Sequence, residues 1–198
     1  RTEARDEWTV AQSALGRGGS RWLPVRRPAA YFADVFRSLA AARGLRLPPP
    51  VFSESAPQGA AVLHEHVSEP LEEILRGMLR FSTNLTAEIV GMAATVARTG
   101  EVASLRASAE EMNRWARSEL GMPGTALRDH SGLNEESRLT AAALAQALAR
   151  VHGDGLLQPI LKDIPMHSPG GQIDPRYPLT VVAKTGTLYF VSSLAGYV

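Results

Sequence analysis

The sequence predicts an α+β fold in which helices fill most of the chain and sheet strands gather at its C-terminal end. Three observations predict it. Apolar residues recur at helical spacing in several segments between residues 28 and 151. Two segments rich in Val, Leu and Tyr follow, Leu179 to Thr185 and Leu188 to Val198, and read as strands. Composition is that of a packed protein: 198 residues, 44% hydrophobic and 21% charged, enough for one sizeable core or for one domain plus fragments of another, and unlike a disordered tail.

The elements follow in order. Residues 1 to 20 are mixed, and Gly16-Arg17-Gly18-Gly19-Ser20 marks a loop. Trp22-Leu23-Pro24-Val25 reads as extended. Pro28 suits a first helical position; Phe32, Val35, Phe36, Leu39 and Ala40 share a face, and Gly44 closes that helix. Leu47 to Val51, with three consecutive prolines, is an extended connector, and Ala61 to His66 reads as a short strand. Ser68 is the expected cap of a helix carrying Leu71, Ile74, Leu75, Met78 and Leu79 on one side. Phe81 to Asn84 interrupts it, and a second helix runs from about Leu85 to Arg98. A third spans roughly Ala103 to Leu120, with Trp115 inward and Gly121 as its stop. Thr125 to Arg128 reads as a strand, Asp129 to Gly132 as a loop, and Thr140 caps an alanine-rich helix to Val151. Pro165 to Pro178 is loop.

Several function classes drop out. The formal net charge is +1 with acids and bases interspersed, so no nucleic-acid partner is expected. With no cysteine there is no disulfide, thiolate metal site or cysteine nucleophile. No apolar run approaches the ~18 residues of a membrane span, and the opening Arg1-Thr2-Glu3-Ala4-Arg5-Asp6 is not a signal-peptide pattern. Ser192 to Val198 reads as an apolar strand without a following turn, so the expectation is a chain that stops within an element. His64 and His66 alternate along the expected strand, but without a third ligand a surface strand is the better reading than zinc. Asp129, His130 and Ser131 contain the three triad residue types, yet sequence neighbours cannot form triad geometry. Gly170-Gly171 lacks the strand, lysine and helix of a phosphate loop.

Two short motifs remain. Ser82-Thr83-Asn84 stands between two expected helices, and Lys184-Thr185-Gly186-Thr187 stands near the end of an expected strand. Lysine is scarce here, occurring only at 162 and 184. Alone, a Ser-x-Asn triplet is an ordinary helix boundary and Lys-Thr-Gly an ordinary strand end. Together, in this order, they match the elements that accompany a Ser-x-x-Lys nucleophile in penicillin-binding proteins and β-lactamases. Acyl transfer to serine needs a proton carrier, a clamp on the substrate amide and donors aimed at the oxyanion. A lysine on an edge strand supplies fixed positive charge, a nearby glycine lets substrate backbone approach closely, and adjoining hydroxyls can bind a carboxylate.

Longer stretches extend the match. Met78-Leu79-Arg80-Phe81-Ser82-Thr83-Asn84-Leu85-Thr86-Ala87-Glu88 resembles the Ser-x-Asn helix junction of type-4 (class C) low-molecular-mass penicillin-binding proteins, the D-alanyl-D-alanine carboxypeptidases/endopeptidases. Asp129-His130-Ser131-Gly132-Leu133, with Arg138 and Thr140, resembles their Asp-Gly-Ser-Gly-Leu segment. Ala183 to Leu188, then Val191 and Leu194 to Val198, resembles their Lys-Thr-Gly strand and the next one; Pro28-Ala29-Ala30-Tyr31 matches the segment before. The resemblance implies an antiparallel sheet flanked by helices, part of the penicillin-binding protein/β-lactamase-like transpeptidase fold. It also implies catalytic roles for three residues. Ser82 would relay a proton to the leaving amine, Asn84 would bind the substrate peptide group, and Lys184 would hold Ser82 and add positive potential. Thr185 and Thr187 would bind the terminal carboxylate, beside Gly186, and the Thr187 N–H would be one oxyanion donor. The substrate would lie along the Lys184 strand as an added strand.

The sequence departs from the family in places. No serine stands three residues before a lysine, since Pro159 precedes Lys162 and Val181 precedes Lys184 at that spacing. The Ser-x-x-Lys nucleophile is absent, and the expectation is a partial chain: residues 1–20 the tail of an inserted domain, 21–198 the C-terminal part of the acyl-serine transferase domain. His130 stands where the family usually has glycine, Phe190 replaces a small residue, and the family's Gly-Thr-Leu segment is not visible in Ser168 to Pro178. The implied activity is hydrolysis of peptidoglycan stem peptides through an acyl-serine, inhibited by β-lactams, in the periplasm or cell envelope, with no metal or organic cofactor. The alternative is a non-catalytic relative that binds peptidoglycan or a protein.

Overall fold

The computed structural model describes residues 7–16, 23–55, 58–189 and 191–198. Arg1 to Asp6, most of the expected 16–20 loop, Trp22 and Phe190 lie outside the described residues. Contacts divide the chain into two compact units, one ending at Glu65 and one from His66 to Val198.

The first unit holds α1 (Gln12–Leu15) and α2 (Pro28–Ala42). Pro28 opens α2, where its missing N–H costs no hydrogen bond. Phe32 and Phe36, one turn apart, stack with ring centroids 6.5 Å apart. Of the expected inward face only Ala40 is buried, while Phe32, Phe36 and Leu39 stay exposed. A helical period determines which residues share a face, not what covers that face.

All remaining elements belong to the second unit: α3 (Leu71–Phe81), α4 (Asn84–Thr99), α5 (Leu105–Glu119), α6 (Ala141–His152), a short 3-10 helix (Gln158–Ile160), β1 (Lys162–Asp163), β2 (Val182–Leu188) and β3 (Val191–Tyr197). The expected strand at 61–66 does not form, and Ser68 is not a cap. Instead Pro70 precedes α3 and its carbonyl accepts from the Glu73 and Ile74 amides. Glu72 and Glu73 then stand in the first turn, where negative charge favours the helix dipole. Ser104 caps α5 by accepting from the Ala107 N–H at 3.1 Å, and Thr140 caps α6 from the Ala143 N–H at 3.1 Å.

The core of this unit is small and built from small residues. Ala116, Met122, Ala143 and Ala147 join α5 to α6, with Trp115 and Leu120 packed against them. Between α4 and α5 the contact is polar: the Thr95 and Ser108 hydroxyls meet at 2.7 Å, and both residues are buried. The expected strand at 125–128 reduces to a single bridge between Ala126 and Arg138. Its place is taken by a side chain: Asn113 donates to the Leu127 carbonyl at 2.8 Å and accepts from the Leu127 N–H at 2.9 Å. An amide can satisfy one residue's backbone as a partner strand would.

The sheet is antiparallel in the order β1-β2-β3. Opposing residues share a face, so Lys184, Ala195 and Ser193 lie together. On that face the Tyr197 hydroxyl donates to the Leu148 carbonyl of α6 at 2.9 Å, which seats α6 against the sheet. Lys184 is the third residue of a seven-residue strand, so the strand carries on through Lys-Thr-Gly instead of ending there.

Gly196 faces Ala183 across the sheet, and a β-carbon there would stand 2.0 Å from the Val182 carbonyl oxygen and 2.5 Å from the Ala183 Cα. Backbone cannot yield as a flexible side chain does. Gly196→Ala is expected to destabilise the protein by about 2–3 kcal/mol. Gly153→Ala, with nothing within 4 Å of the added carbon, should stay within about 0.5 kcal/mol. Denaturant melts of the two variants test this, and equal melts would mean that the sheet separation is not tight at Gly196.

Candidate active site

The junction between α3 and α4 is only two residues long, and the chain turns it by a left-handed conformation at Ser82, φ 55° and ψ 49°. Ser82 is the one non-glycine residue of positive φ among the described residues. For an L-residue this region costs roughly 1–2 kcal/mol. The turn begins as a helix end, with the Thr83 N–H donating to the Met78 carbonyl at 3.3 Å, and α4 starts at Asn84. Such strain at a non-glycine residue is the kind of feature held in place by its surroundings at functional sites.

Lys184 reaches this junction from β2. Its ammonium donates to the Ser82 Oγ at 2.6 Å, across 102 positions of sequence, and also to the Thr185 carbonyl. Burial disfavours its charge and the nearby Lys162 ammonium repels it, so both causes hold its pKa below the ordinary lysine value. Arg76 of α3 helps set the distance: its guanidinium donates to the Pro159 carbonyl just before β1. The helix carrying Ser82 is thereby tied to the segment that enters the sheet.

Ser82, Asn84, Lys184, Thr185, Gly186 and Thr187 all line one cleft of about 700 Å³. All six residues singled out in the sequence therefore come together. Thr185 and Thr187 are exposed, and the Asn84 side chain makes no hydrogen bond among the described residues. β1 pairs with β2 only at Val182 and Ala183. From Lys184 onward the edge of β2 away from β3 has no strand partner among the described residues, so a peptide can add there. Gly186 has a further reason to be glycine: a β-carbon would stand 2.5 Å from the Ser193 Oγ on β3.

A loop absent from the two motifs closes the cleft's other side, with His130, Ser131, Gly132 and Leu133 among its lining. The Asp129 carboxylate organises the loop, accepting from the Gly132 N–H at 3.0 Å, the Asn134 N–H at 2.7 Å and the Ser131 hydroxyl at 3.4 Å. This is a turn, in line with the sequence reading, and not a triad. The His130 ring lies over Gly91 of α4, where a β-carbon would be 2.1 Å from it. Its Nε2 pairs with the Ser108 Oγ at 2.8 Å. Burial lowers the His130 pKa, against the raising effect of the Glu88 and Asp129 charges.

Glu88 was not singled out by sequence reasoning. One turn beyond Asn84 on α4, it accepts from the His130 N–H at 3.2 Å and the Ser131 N–H at 3.0 Å. Burial raises its pKa, but its hydrogen bonds with Ser131 and His130 outweigh burial and leave it below the usual value. The i,i+4 spacing from Asn84 was the available signal. Ser108, a polar residue at the N-terminal end of α5, offered none. His64 and His66 are exposed in a segment without regular structure, and no group of three or more potential metal ligands occurs among the described residues.

Glycine adopts positive φ without penalty, so position 82 separates conformation from chemistry. Ser82→Gly is expected to be more stable than Ser82→Ala by about 1 kcal/mol. Both variants lose the hydroxyl that meets Lys184. Paired denaturation curves measure the difference; an alanine variant as stable as the glycine one would show the turn to be unstrained.

With this geometry in hand, comparison with known proteins is specific. Residues 9–198 match the D-Ala-D-Ala carboxypeptidase 3 (S13) family. A carboxypeptidase of Mycobacterium tuberculosis is 32% identical over 174 residues, 82% of this chain and 38% of that protein. Carboxypeptidase DacB of Mycolicibacterium smegmatis is 30% identical over 185 residues, 87% of this chain and 40% of the relative. The chain thus spans well under half the length of the curated relatives it matches. A crystal structure of penicillin binding protein 4 (dacB) from Haemophilus influenzae covers 88% of this chain and 42% of its own, with a TM-score of 0.70 and 24% identity, which establishes the shared fold. The chain belongs to the D-Ala-D-Ala carboxypeptidase 3 (S13) family.

Proposed function

We propose that the described cleft is the proton-relay and substrate-clamp part of a serine-type D-Ala-D-Ala carboxypeptidase site, acting on peptidoglycan stem peptides through an acyl-serine. The observation that carries this reading is the 2.6 Å hydrogen bond from the Lys184 ammonium to the Ser82 hydroxyl. A serine hydroxyl held by an ammonium can pass a proton while the charge stays fixed. Membership of the family supports the carboxypeptidase assignment. Cleavage of cross-links, an endopeptidase reaction, uses the same groups and belongs to the same proposal.

The roles are those that the family resemblance implies, and the convergence of the residues on one cleft supports them. Ser82 hands a proton to the leaving amine, with Lys184 lowering the cost of that movement. Asn84, at the start of α4, offers its side-chain amide to the substrate peptide group. Thr185 and Thr187 bind the terminal carboxylate from the exposed side of β2, and the Thr187 N–H stabilises the oxyanion. Gly186 keeps the strand narrow between them. The substrate backbone pairs with the open edge of β2. The nucleophile of this chemistry is a serine of a Ser-x-x-Lys motif, which this sequence does not contain. β-Lactams, as acylating mimics of the peptide, are the expected inhibitors, and the cell envelope or periplasm is the proposed location because the substrate is there. The rival reading, a binding relative without catalysis, predicts peptide binding with no acyl-enzyme.

The test uses the protein as its gene encodes it, with a D-Ala-D-Ala peptide and a penicillin as acylating substrates. Lys184→Ala is expected to slow acylation more than about tenfold, roughly 1.4 kcal/mol of barrier. Lys184→Arg, which keeps the charge on a bulkier, planar head that cannot aim a single N–H at the Ser82 hydroxyl as the ammonium does, should recover binding better than turnover. A loss under about threefold for Lys184→Ala removes the assignment, and a parent that binds but never acylates establishes the rival.

Lys184 acts in its charged form, so acylation should fall at alkaline pH as it deprotonates. Burial and the Lys162 charge place that fall below the usual lysine range. Removing one cation raises the proton affinity of the other. Lys162→Gln is therefore expected to move the alkaline limb of the acylation–pH profile to higher pH; an unmoved limb would mean that Lys184 does not set it.

A further inference from the structure

The geometry points to Glu88 as a positioning residue for substrate, acting by fastening the 129–133 loop to the helix that begins at Asn84. This rests on the acyl-transfer reading of the cleft and adds a residue to it. Two backbone donors of one loop converge on one carboxylate: His130 N–H on Oε2 at 3.2 Å, Ser131 N–H on Oε1 at 3.0 Å. Glu88 lies one turn after Asn84 on α4, so the same rigid helix presents the Asn84 amide and holds the opposite side of the cleft. The loop cannot drift from Asn84 without breaking both bonds.

The fastening is specific to a carboxylate. Each amide has its own oxygen, and ionised acceptors make the stronger hydrogen bonds. Glutamine offers a single carbonyl, so one N–H would face an NH2 donor. The loop side is pre-shaped to meet Glu88, because the Asp129 carboxylate already gathers the Ser131 hydroxyl and the Gly132 and Asn134 amides. His130 gives a second attachment: its ring over Gly91 and its Nε2 on Ser108 keep the loop from swinging away as a body. With His130 retained, replacing Glu88 loosens the loop backbone rather than releasing the loop.

This predicts a dependence on substrate size. A D-Ala-D-Ala stem peptide extends from the Ser82–Lys184 pair along the cleft, towards the wall that Ser131, Gly132 and Leu133 form. A penicillin is compact, and its reacting ring needs only the Ser82, Lys184 and Thr185–Thr187 side. Loss of the fastening therefore harms the peptide more than the penicillin, a selectivity that a fall in stability alone does not produce.

The experiment measures acylation of the protein as its gene encodes it, parent and Glu88→Gln, by a D-Ala-D-Ala stem peptide and by benzylpenicillin, alongside melting curves. The expected result is a loss of about tenfold or more on the peptide with a loss under about threefold on the penicillin. Equal losses on the two substrates, or no loss on the peptide, overturn the inference. If Glu88→Gln does not fold, Glu88→Asp, which keeps both oxygens on a stem one methylene shorter, takes its place: a loss confined to the peptide supports the inference, and equal losses or none overturn it. A parent that acylates with neither substrate overturns the functional reading, and this inference with it; a parent that acylates both, paired with an unselective variant, overturns this inference alone.

Discussion

The hydrogen bond between Lys184 and Ser82 requires the helices and the sheet of the second unit to hold a fixed separation. It joins a strand residue to a helix junction 102 positions away, and neither end could meet the other through local structure. Three features hold the two halves in place. Arg76 ties α3 to the Pro159 carbonyl at the entry to β1. Tyr197 ties β3 to α6 through the Leu148 carbonyl. Gly196 lets β3 lie close against β2 at Ala183. The left-handed turn at Ser82 makes sense in this frame, because a relaxed helix end would carry its hydroxyl away from β2. The strain is local and small, and the surrounding contacts can hold it.

A second theme is the use of side chains where backbone pairing would be expected. Leu127 meets Asn113 in place of a strand. The 129–134 turn meets Asp129, and its outer amides meet Glu88. Buried or half-buried N–H groups must find partners, and a carboxylate or amide can supply them where the chain is too irregular for a ladder. The consequence is a cleft wall that is irregular in outline yet held at several points. Much of what shapes the cleft is therefore carried by polar residues of α4 and α5 that touch none of the proposed reacting groups.

Helices were legible because their signals are local. The 28–42, 84–99 and 141–152 helices announce themselves by apolar spacing and by Pro28, Thr140 or the Ser82–Asn84 break. The β2–β3 pair was legible from its Val, Leu and Tyr content. The short strand expected at 61–66 failed for a complementary reason. Alternating residues favour extended backbone, but a strand exists only where a partner supplies hydrogen bonds, and none of the described strands lies beside it. The Ser68 cap failed for a local reason: Pro70 disfavours helical backbone at Glu69, the residue that would have to open a helix capped by Ser68.

By itself the sequence determined the family's chemistry-bearing residue types and their order: Ser82, Asn84, Lys184, Thr185, Gly186 and Thr187 in two short motifs. Spacing and residue identity are one-dimensional properties, and these motifs are read in one dimension. Only the tertiary structure decided that the motifs face one another at 2.6 Å, that the outer edge of β2 beyond Ala183 has no strand partner among the described residues, and that Glu88 and Ser108 hold the His130–Leu133 wall opposite. Those facts depend on contacts between residues 17 to 102 positions apart. No local propensity encodes such contacts; they arise from the packing of α4 on α5 and of α6 on the sheet.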